Sequence, residues 1–300
     1  MNPFFCGPLM MIIGMLWLGI GNALLKGIST QVSITQILFF RGLFGVLILF
    51  LVGWYRRKEY FPFKTQQFAR QSLRGVTGYF ALYAIFMSFK LLPLSDATVL
   101  SFASVLFITV FSLIFLGERF SWKVGVAILV GFGGIIIIAQ PSCDVSIPGL
   151  SFALVGALLE SIVLFLGKLL GQKDSPQTCV FYHTLCSFVI AGLFMMGQWY
   201  LPDWADIGWI LGLAVSGLLG QTFIVRAYQL APAMRVSPMI YTLIIWGVLF
   251  GMLFWGEILD LSFILGSSIV IITGVYIVHA PIRSAVLKSA GRKKTDGGEG

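Results

Sequence analysis

Apolar residues run along the chain in blocks of about twenty, separated by short stretches that are polar or contain glycine and proline. A helical block of that length matches the hydrocarbon thickness of a bilayer, since a helix rises about 1.5 Å per residue. The pattern therefore predicts ten membrane-spanning helices. They lie near residues 8–27, 34–54, 72–92, 95–116, 122–140, 148–170, 178–198, 206–228, 233–254 and 261–280.

Composition places most of this chain in lipid. Of the 300 residues, 58% are hydrophobic and 11% are charged, and the mean hydropathy is +0.95. A soluble domain carries about 25% charged residues. These values exclude a soluble enzyme, a disordered chain and a disulfide scaffold. The cysteines are scattered, and neither a metal-binding motif nor a phosphate-binding glycine loop for ATP occurs, so we expect no cofactor and no metal.

The distribution of basic residues predicts the orientation of the spans. If the N-terminus is cytoplasmic, 17 of the 20 Lys and Arg residues fall on the inner side and two on the outer side. Basic residues concentrate in the cytoplasmic loops of membrane proteins. We therefore expect both termini in the cytoplasm and a multi-pass protein of a bacterial inner membrane. The net charge of +8 then reflects these loops, and a nucleic-acid partner is excluded.

The two halves of the chain share a weak repeat. Five spans per half is an odd number, so the second half must enter the membrane from the opposite side. We predict an all-α membrane protein of two inverted five-helix repeats, residues 1–141 and 142–282, with a disordered basic tail over 283–300. The coinciding positions are Gly78 with Gly217, Pro93 with Pro232 and Glu118 with Glu257 at a displacement of 139, and Gly14 with Gly156 and Lys26 with Lys168 at 142.

Five short motifs stand in or beside the predicted spans. They are Phe40-Arg41, Leu73-Arg74-Gly75, Leu92-Pro93-Leu94-Ser95-Asp96-Ala97-Thr98, Phe115-Leu116-Gly117-Glu118-Arg119 and Phe254-Trp255-Gly256-Glu257. In these motifs the chain resembles the drug/metabolite transporter superfamily, in its ten-helix EamA-type branch, over about residues 8–280. The resemblance implies transport of a small organic solute by exchange or proton coupling, without ATP.

The resemblance is closer in the first half than in the second. Arg235 stands where the first half has Asp96, and Tyr182 or His183 stands where it has Arg41. Within the family, the two arginine motifs and the run 96–102 resemble carriers of S-adenosylmethionine. That substrate is one candidate, and a drug or an amino acid is the competing one.

Charged residues inside spans are costly in lipid, which makes them functional candidates. Glu160 lies about twelve residues into the sixth span, and we expect it to serve as the counter-charge of a cation or as a proton carrier. The alternative is a buried pair with Arg41 or Lys168 that fixes helix packing. For Arg41 we favour a structural role over coupling. Glu118 and Glu257 are interpreted as helix-boundary anchors, and His183 and His279 as satisfied or interfacial residues.

Aromatic and amide side chains deep in the spans complete the predicted site. A buried indole or phenol needs a polar partner, so these groups favour the bundle interior over lipid. A cavity with aromatic walls and one carboxylate suits an organic cation or zwitterion with a planar part. The residues that we expect to line it are Trp17, Asn22, Tyr79, Tyr83, Glu160, Gln221, Tyr241 and Trp246.

Three functional hypotheses follow from these observations. A secondary transporter of a small organic metabolite, working by alternating access, accounts for the most features. A membrane enzyme acting on lipid would need a nucleophile with its base or paired acids, and none is evident. A non-transporting membrane subunit or receptor is the third. For the transporter, the expected partners are the metabolite and the bilayer, with proton or counter-substrate coupling and a homodimer left open.

Overall fold

The computed structural model describes residues 3–55, 65, 67–115, 122–139, 146–170, 176–195, 200, 202–230 and 237–276. The regular structure within these ranges is helical, and they contain no strand. The α-helices, in chain order, are α1 Pro3–Gly27, α2 Ile34–Tyr55, α3 Phe68–Leu91, α4 Leu94–Ser101, α5 Ala103–Phe115, α6 Trp122–Ala139, α7 Ile147–Leu170, α8 Pro176–Met195, α9 Trp204–Leu230, α10 Thr242–Trp255 and α11 Leu261–Tyr276.

The apolar blocks form helices, as the sequence predicts. By length and composition, five of the described helices (α1, α2, α7, α8 and α9) are able to cross a membrane. Shorter apolar helices cover Leu94–Ile108, Gly125–Ile138, Met239–Trp255 and Leu261–Tyr276. Several features of the sequence prediction lie outside the described residues. They are the division near residue 141, Glu118, the side chain of Lys168, Arg235, His279 and the tail 283–300.

The fourth predicted span, 95–116, is divided at Phe102 into α4 and α5. Around this residue the backbone switches to hydrogen bonds between residues three apart, from the Phe102 amide to Val99 and from the Val105 amide to Phe102, each 3.0 Å long. The Thr98 hydroxyl donates back to the Leu94 carbonyl at 2.6 Å. Such back-bonding bends helices, and it interrupts a span that its composition predicts to be continuous.

A second interruption occurs before α10. A short 3₁₀ helix, Ser237–Tyr241, precedes it, so the change of helix type falls at Tyr241. The rings of Tyr241 and Phe102 stack, with centroids 5.1 Å apart and planes at 22°. The two interrupted regions therefore meet in the middle of the molecule.

Close glycine contacts hold two antiparallel helix pairs, α1 with α9 and α3 with α7. A Cβ added at Gly14 would lie 3.0 Å from Ile224 Cγ1, and one added at Gly156 would lie 2.8 Å from Ile85 Cγ1. Small residues let membrane helices approach to this distance, where dispersion contacts are strongest. The α2–α8 and α6–α11 pairs are also antiparallel and close, with Gly42 against Phe188 and Gly134 against Gly266.

Adding a methyl group at Gly156 is expected to destabilise the protein. The new Cβ would lie 2.8 Å from a side-chain atom and 3.0 Å from the backbone nitrogen of Ile85, so α3 and α7 must separate. We expect Gly156→Ala to lower stability by about 1–3 kcal/mol relative to Gly208→Ala. Gly208 is the matched control, because it is also helical and nothing lies within 4 Å of its added Cβ. Equal melting temperatures of the two detergent-purified variants would contradict this packing.

The core lies around α4, which other helices surround. Six of its eight residues are buried, among them Leu94, Thr98 and Leu100. Large apolar side chains such as Leu129 and Ile136 are exposed on the outside of the bundle, which suits a protein whose solvent is lipid. Polar side chains on α1, α2, α3 and α7 accordingly lie within reach of a common interior.

Candidate substrate-binding site

Glu160 lies in the interior, on the face of α7 that packs against α3. Gly156, one turn earlier on that face, is the residue in contact with Ile85, and the neighbouring Ala157 is fully buried. The side chain of Glu160 is half-buried there.

The charge that acts on Glu160 is Arg74 of α3. Among the described residues Glu160 forms no ion pair with Arg41, one of the two partners that the sequence suggested. The other suggested partner, Lys168, has its side chain outside the described part. Arg74 donates through Nη1 to the Cys179 carbonyl at 3.1 Å, and its Nε is buried without a hydrogen bond. Arg74 therefore acts on Glu160 at longer range, and no direct contact joins them among the described residues.

Arg41 of α2 lies between α3 and α9. Its guanidinium lies over the ring of Phe86, 5.8 Å from the centroid. A Cβ at Gly217 of α9 would lie 3.1 Å from Nη2, so the glycine leaves the room that the guanidinium occupies. The Nε atom is buried and has no hydrogen bond. Arg41 is thus held by an aromatic face and a glycine, and not by a counter-ion among the described residues.

His183 of α8 joins these groups, although the sequence suggested a satisfied or interfacial position. Its ring packs where a side chain on Gly78 would be, and its buried Nδ1 has no hydrogen bond. The charges of Arg74 and Arg41 both act on it. The sequence contains one signal for this position, because aligning the chain with itself at a shift of 142 residues pairs Arg41 with His183. The described residues contain no group of three His, Cys, Asp or Glu that could hold a metal.

Two predicted aromatic residues, Tyr79 and Tyr83, lie one turn apart on α3. Tyr79 is 2% exposed, its ring lies 6.4 Å from that of Tyr83, and it stacks on Phe194 of α8. The Tyr83 ring meets Phe152 of α7 edge to face at 6.5 Å. Phe152 is about two turns before Glu160, so the tyrosines and Glu160 share the α3–α7–α8 region without touching.

The remaining predicted residues are spread over α1, α9 and the start of α10. Tyr241 is buried on Phe102, and its hydroxyl has no partner among the described residues. Trp246 packs against Gly19, and its buried indole nitrogen is likewise without a hydrogen bond there. Trp17 and Asn22 of α1 are half-buried, whereas Gln221 of α9 is exposed. Their roles in binding stay predictions.

A second polar cluster, which we call the charge clamp, joins Glu257 to Lys26, Leu94 and Ser95. Lys26 Nζ donates to Glu257 Oε1 at 2.6 Å, and the Ser95 amide and hydroxyl donate to Oε2 at 3.0 and 2.7 Å. The Leu94 amide also donates to Oε1. Glu257 thus supplies the free amides at the start of α4 with an acceptor, as a helix N-terminus favours. The sequence anticipated an anchor at Glu257 but not these partners.

The clamp holds the Glu257 carboxylate in its charged form. Burial by itself would raise its pKa, but the hydrogen bonds from Lys26, Ser95 and Leu94 outweigh burial and hold the pKa below the ordinary value of 4.5. A carboxylate with a lowered pKa stabilises the folded contact above its unfolded pKa. The clamp is therefore intact at neutral pH and is lost as the pH falls through the lowered pKa.

Further hydrogen bonds lie at the same end of the molecule as the clamp. Two of them join the first half of the chain to the second, and the third joins the end of α3 to the residue that follows α1. The contacts are the Ser29 amide to Asp206 Oδ1 at 2.9 Å, Gln36 Nε2 to the Tyr200 carbonyl at 2.7 Å, and Lys90 Nζ to the Ile28 carbonyl.

Known proteins resemble this chain over nearly its whole length. A pseudopaline exporter of Pseudomonas aeruginosa is 29% identical over 275 residues, which are 89% of this chain and 93% of that protein. An S-adenosylmethionine uptake transporter of Rickettsia prowazekii is 22% identical over 284 residues, 95% and 96% of the two chains. An uncharacterized transporter of Helicobacter pylori is 26% identical over 284 residues, 92% and 95%.

A solved structure and a family model also match this chain. One crystal structure superposes with a TM-score of 0.65 at 14% identity, covering 93% of this chain and 98% of the other, which shows a shared fold. The model of the EamA-like transporter family matches residues 5–140 and again residues 147–279. The protein is a multi-pass membrane protein, and it belongs to the EamA-like transporter family.

Proposed function

We propose that this protein is a secondary transporter that moves a small cationic or zwitterionic metabolite across the cytoplasmic membrane by alternating access. The observation that carries the proposal is the set of charged and polar groups inside an otherwise apolar bundle: Glu160, Arg74, Arg41 and His183. Ionisable groups within spans are costly and mark substrate or ion pathways. Such a set has no evident use in a purely structural bundle.

The chemistry of the interior limits the solute. Glu160 is the acidic group of α7 in this region, and Tyr83 meets the same helix at Phe152, about two turns away. A carboxylate and an aromatic ring on one pair of helices suit a cation that has a planar part, through charge and cation–π attraction. Relatives are named for S-adenosylmethionine uptake and for pseudopaline export. S-Adenosylmethionine is our first candidate, and a drug or an amino acid is the alternative.

We further propose that residues 1–141 and 142–282 are inverted repeats of five spans. Contacts that correspond under the sequence displacements support this arrangement. Phe102 and Tyr241, 139 residues apart, mark the two helix interruptions and stack on each other. The family model also matches two successive segments. The corresponding contacts are Gly14 on Ile224 with Gly156 on Ile85, and Arg41 on Gly217 with His183 on Gly78.

Alternating access would come from rocking one repeat against the other. The charge clamp joins Lys26, Leu94 and Ser95 of the first repeat to Glu257 of the second. By the distribution of basic residues, this end is the outer one. The proposed cycle therefore breaks the clamp when the interior opens outward, with the energy supplied by a proton or a counter-substrate.

Reconstituted transport tests the proposed function directly. Proteoliposomes should take up or release a labelled cationic or zwitterionic metabolite from a panel that includes S-adenosylmethionine, amino acids and cationic drugs. Each solute is measured with and without a proton gradient and with unlabelled solute on the opposite side. Absence of flux for every solute in all conditions would count against a transporter of this class.

Labelling from outside tests the proposed orientation. Single cysteines in place of Lys58 and Lys288 should not react with an impermeant thiol reagent in intact cells, because both positions are assigned to the cytoplasm. The background must lack the native cysteines. A cysteine in place of Asp203, assigned to the outer side, is the positive control and should react. Labelling at Lys58 or Lys288 would contradict the orientation.

A further inference from the structure

We propose that Arg41 is the subsite for a carboxylate group of the transported solute, so that the substrate is a carboxylate-bearing metabolite. The inference rests on the proposed function and narrows its substrate class. The sequence favoured a structural role for Arg41 through hydrogen bonds to neighbouring helix ends. In the described part of the chain the guanidinium makes no such bond, and its Nε is buried without a partner.

Among the described residues, no negative charge neutralises Arg41. Arg74 is the charge that acts on Glu160, and Arg41 forms no ion pair with any described acid. A guanidinium is always protonated, and five N–H donors in a planar fork need acceptors. Leaving such a group uncompensated in the interior of a membrane protein is costly. The missing partner is an anion that the described chain does not supply.

The surroundings of Arg41 suit a bound carboxylate. Phe86 supports the face of the guanidinium, and Gly217 leaves space beside Nη2. The side chain is half-buried, so part of it remains accessible to a solute. An arginine in this position presents an edge to a carboxylate, which it binds by two parallel hydrogen bonds.

The site as a whole then matches a zwitterion. A carboxylate on Arg41 would neutralise the excess positive charge, and an ammonium or sulfonium group of the same solute would lie toward Glu160. Because Arg41 does not act on Glu160, the two groups are separated by more than a direct contact. The unpartnered Nδ1 of His183 offers a further polar contact to the solute.

Thermal unfolding without ligand separates this role from a structural one. Arg41→Gln removes an uncompensated charge, so the purified variant should melt at the wild-type temperature or higher. Arg226→Gln is the matched control, because Arg226 is exposed on α9 and the change in charge is the same. A melting temperature several degrees below both wild type and control would show that Arg41 supports the fold, and would overturn the proposal.

Paired probes that differ by one carboxylate test the subsite. The pairs are S-adenosylmethionine with its decarboxylated form and arginine with agmatine, measured by ligand-induced thermal stabilisation and by proteoliposome flux. For at least one pair, the wild type should prefer the carboxylate-bearing member by about ten- to a hundredfold, the range for a hydrogen-bonded charged group. Arg41→Gln should remove this preference, and Arg41→Lys should keep part of it.

The outcomes separate the two proposals. Flux without preference for the carboxylate, or a preference that survives in Arg41→Gln, would overturn the Arg41 subsite and leave the transporter intact. Failure of the wild type to bind or move any member of either pair would overturn both the subsite and the proposed solute class. Preference in the wild type, loss in Arg41→Gln and retention in Arg226→Gln would establish the subsite.

Discussion

Glu160→Gln is expected to reduce transport of a cationic or zwitterionic solute about ten- to a hundredfold while leaving the protein folded. Glutamine keeps the shape of the side chain and removes its negative charge, which is the attraction offered to the cationic end of the solute. Loss of one charge-assisted hydrogen bond corresponds to about ten- to a hundredfold in affinity. Initial flux in proteoliposomes, at solute concentrations below saturation, should fall by that factor.

A structural role for Glu160 predicts a different result. Breaking a buried pair by removing one partner costs about 3–5 kcal/mol, so Glu160→Gln would then express poorly. Since Arg74 is the charge acting on Glu160, Arg74→Gln in the same chain should partly restore expression. The control is Asp203→Asn, an exposed acid outside the interior. Normal flux with normal pH dependence in Glu160→Gln would refute its role in transport.

Glu257→Gln is expected to shift the protein toward a conformation that is open to the outside. The variant loses the ion pair with Lys26 and weakens the bonds from Leu94 and Ser95. A loss of about 2 kcal/mol from these partly buried contacts would change the ratio of the two conformations about thirtyfold. The rate at which an impermeant reagent labels a cysteine in place of Asn22, in intact cells, should rise accordingly.

Three comparisons decide whether the clamp causes this change. Lys26→Met removes only the ion pair, so it should give a smaller increase than Glu257→Gln. Glu118→Gln makes the same chemical change at the repeat-related position and should not increase labelling from outside. Acidification provides a third comparison, since protonating Glu257 below its lowered pKa should imitate the glutamine variant. An unchanged labelling rate in Glu257→Gln would remove the clamp from the proposed cycle.

The apolar blocks were sufficient to predict the helices, because a span in lipid must satisfy its own backbone and needs about twenty apolar residues. The same reasoning predicted that Glu160 lies in the interior and that Glu257 is an anchor at a helix boundary. Both conclusions depend on local composition alone. The family motifs and the internal repeat were also legible in the sequence, and the match of the family model to two segments is consistent with that repeat.

The interruptions at Phe102 and Tyr241 were not predictable in this way. Ser95, Thr98 and Ser101 make α4 more polar than α5, and Pro238 precedes Tyr241, but a window of about twenty residues averages over such local signals. The break at Phe102 coincides with the hydrogen bond from Thr98 to Leu94 and with backbone bonds between residues three apart. Average composition predicts whether a segment is long and apolar enough to span a bilayer. It does not predict where the backbone changes its hydrogen-bonding pattern.

The partners of the charged residues were decided by tertiary structure alone. Lys26 and Glu257 are 231 residues apart, and the charge that acts on Glu160 is that of Arg74 and not that of Arg41. A span that is apolar all round carries little information about its rotation, since lipid and protein interior are equally apolar surroundings. The sequence by itself determined which segments form apolar helices and which carry charge. The close glycine contacts between helices determined which of those charges meet, because they set the rotation of each helix against its neighbour.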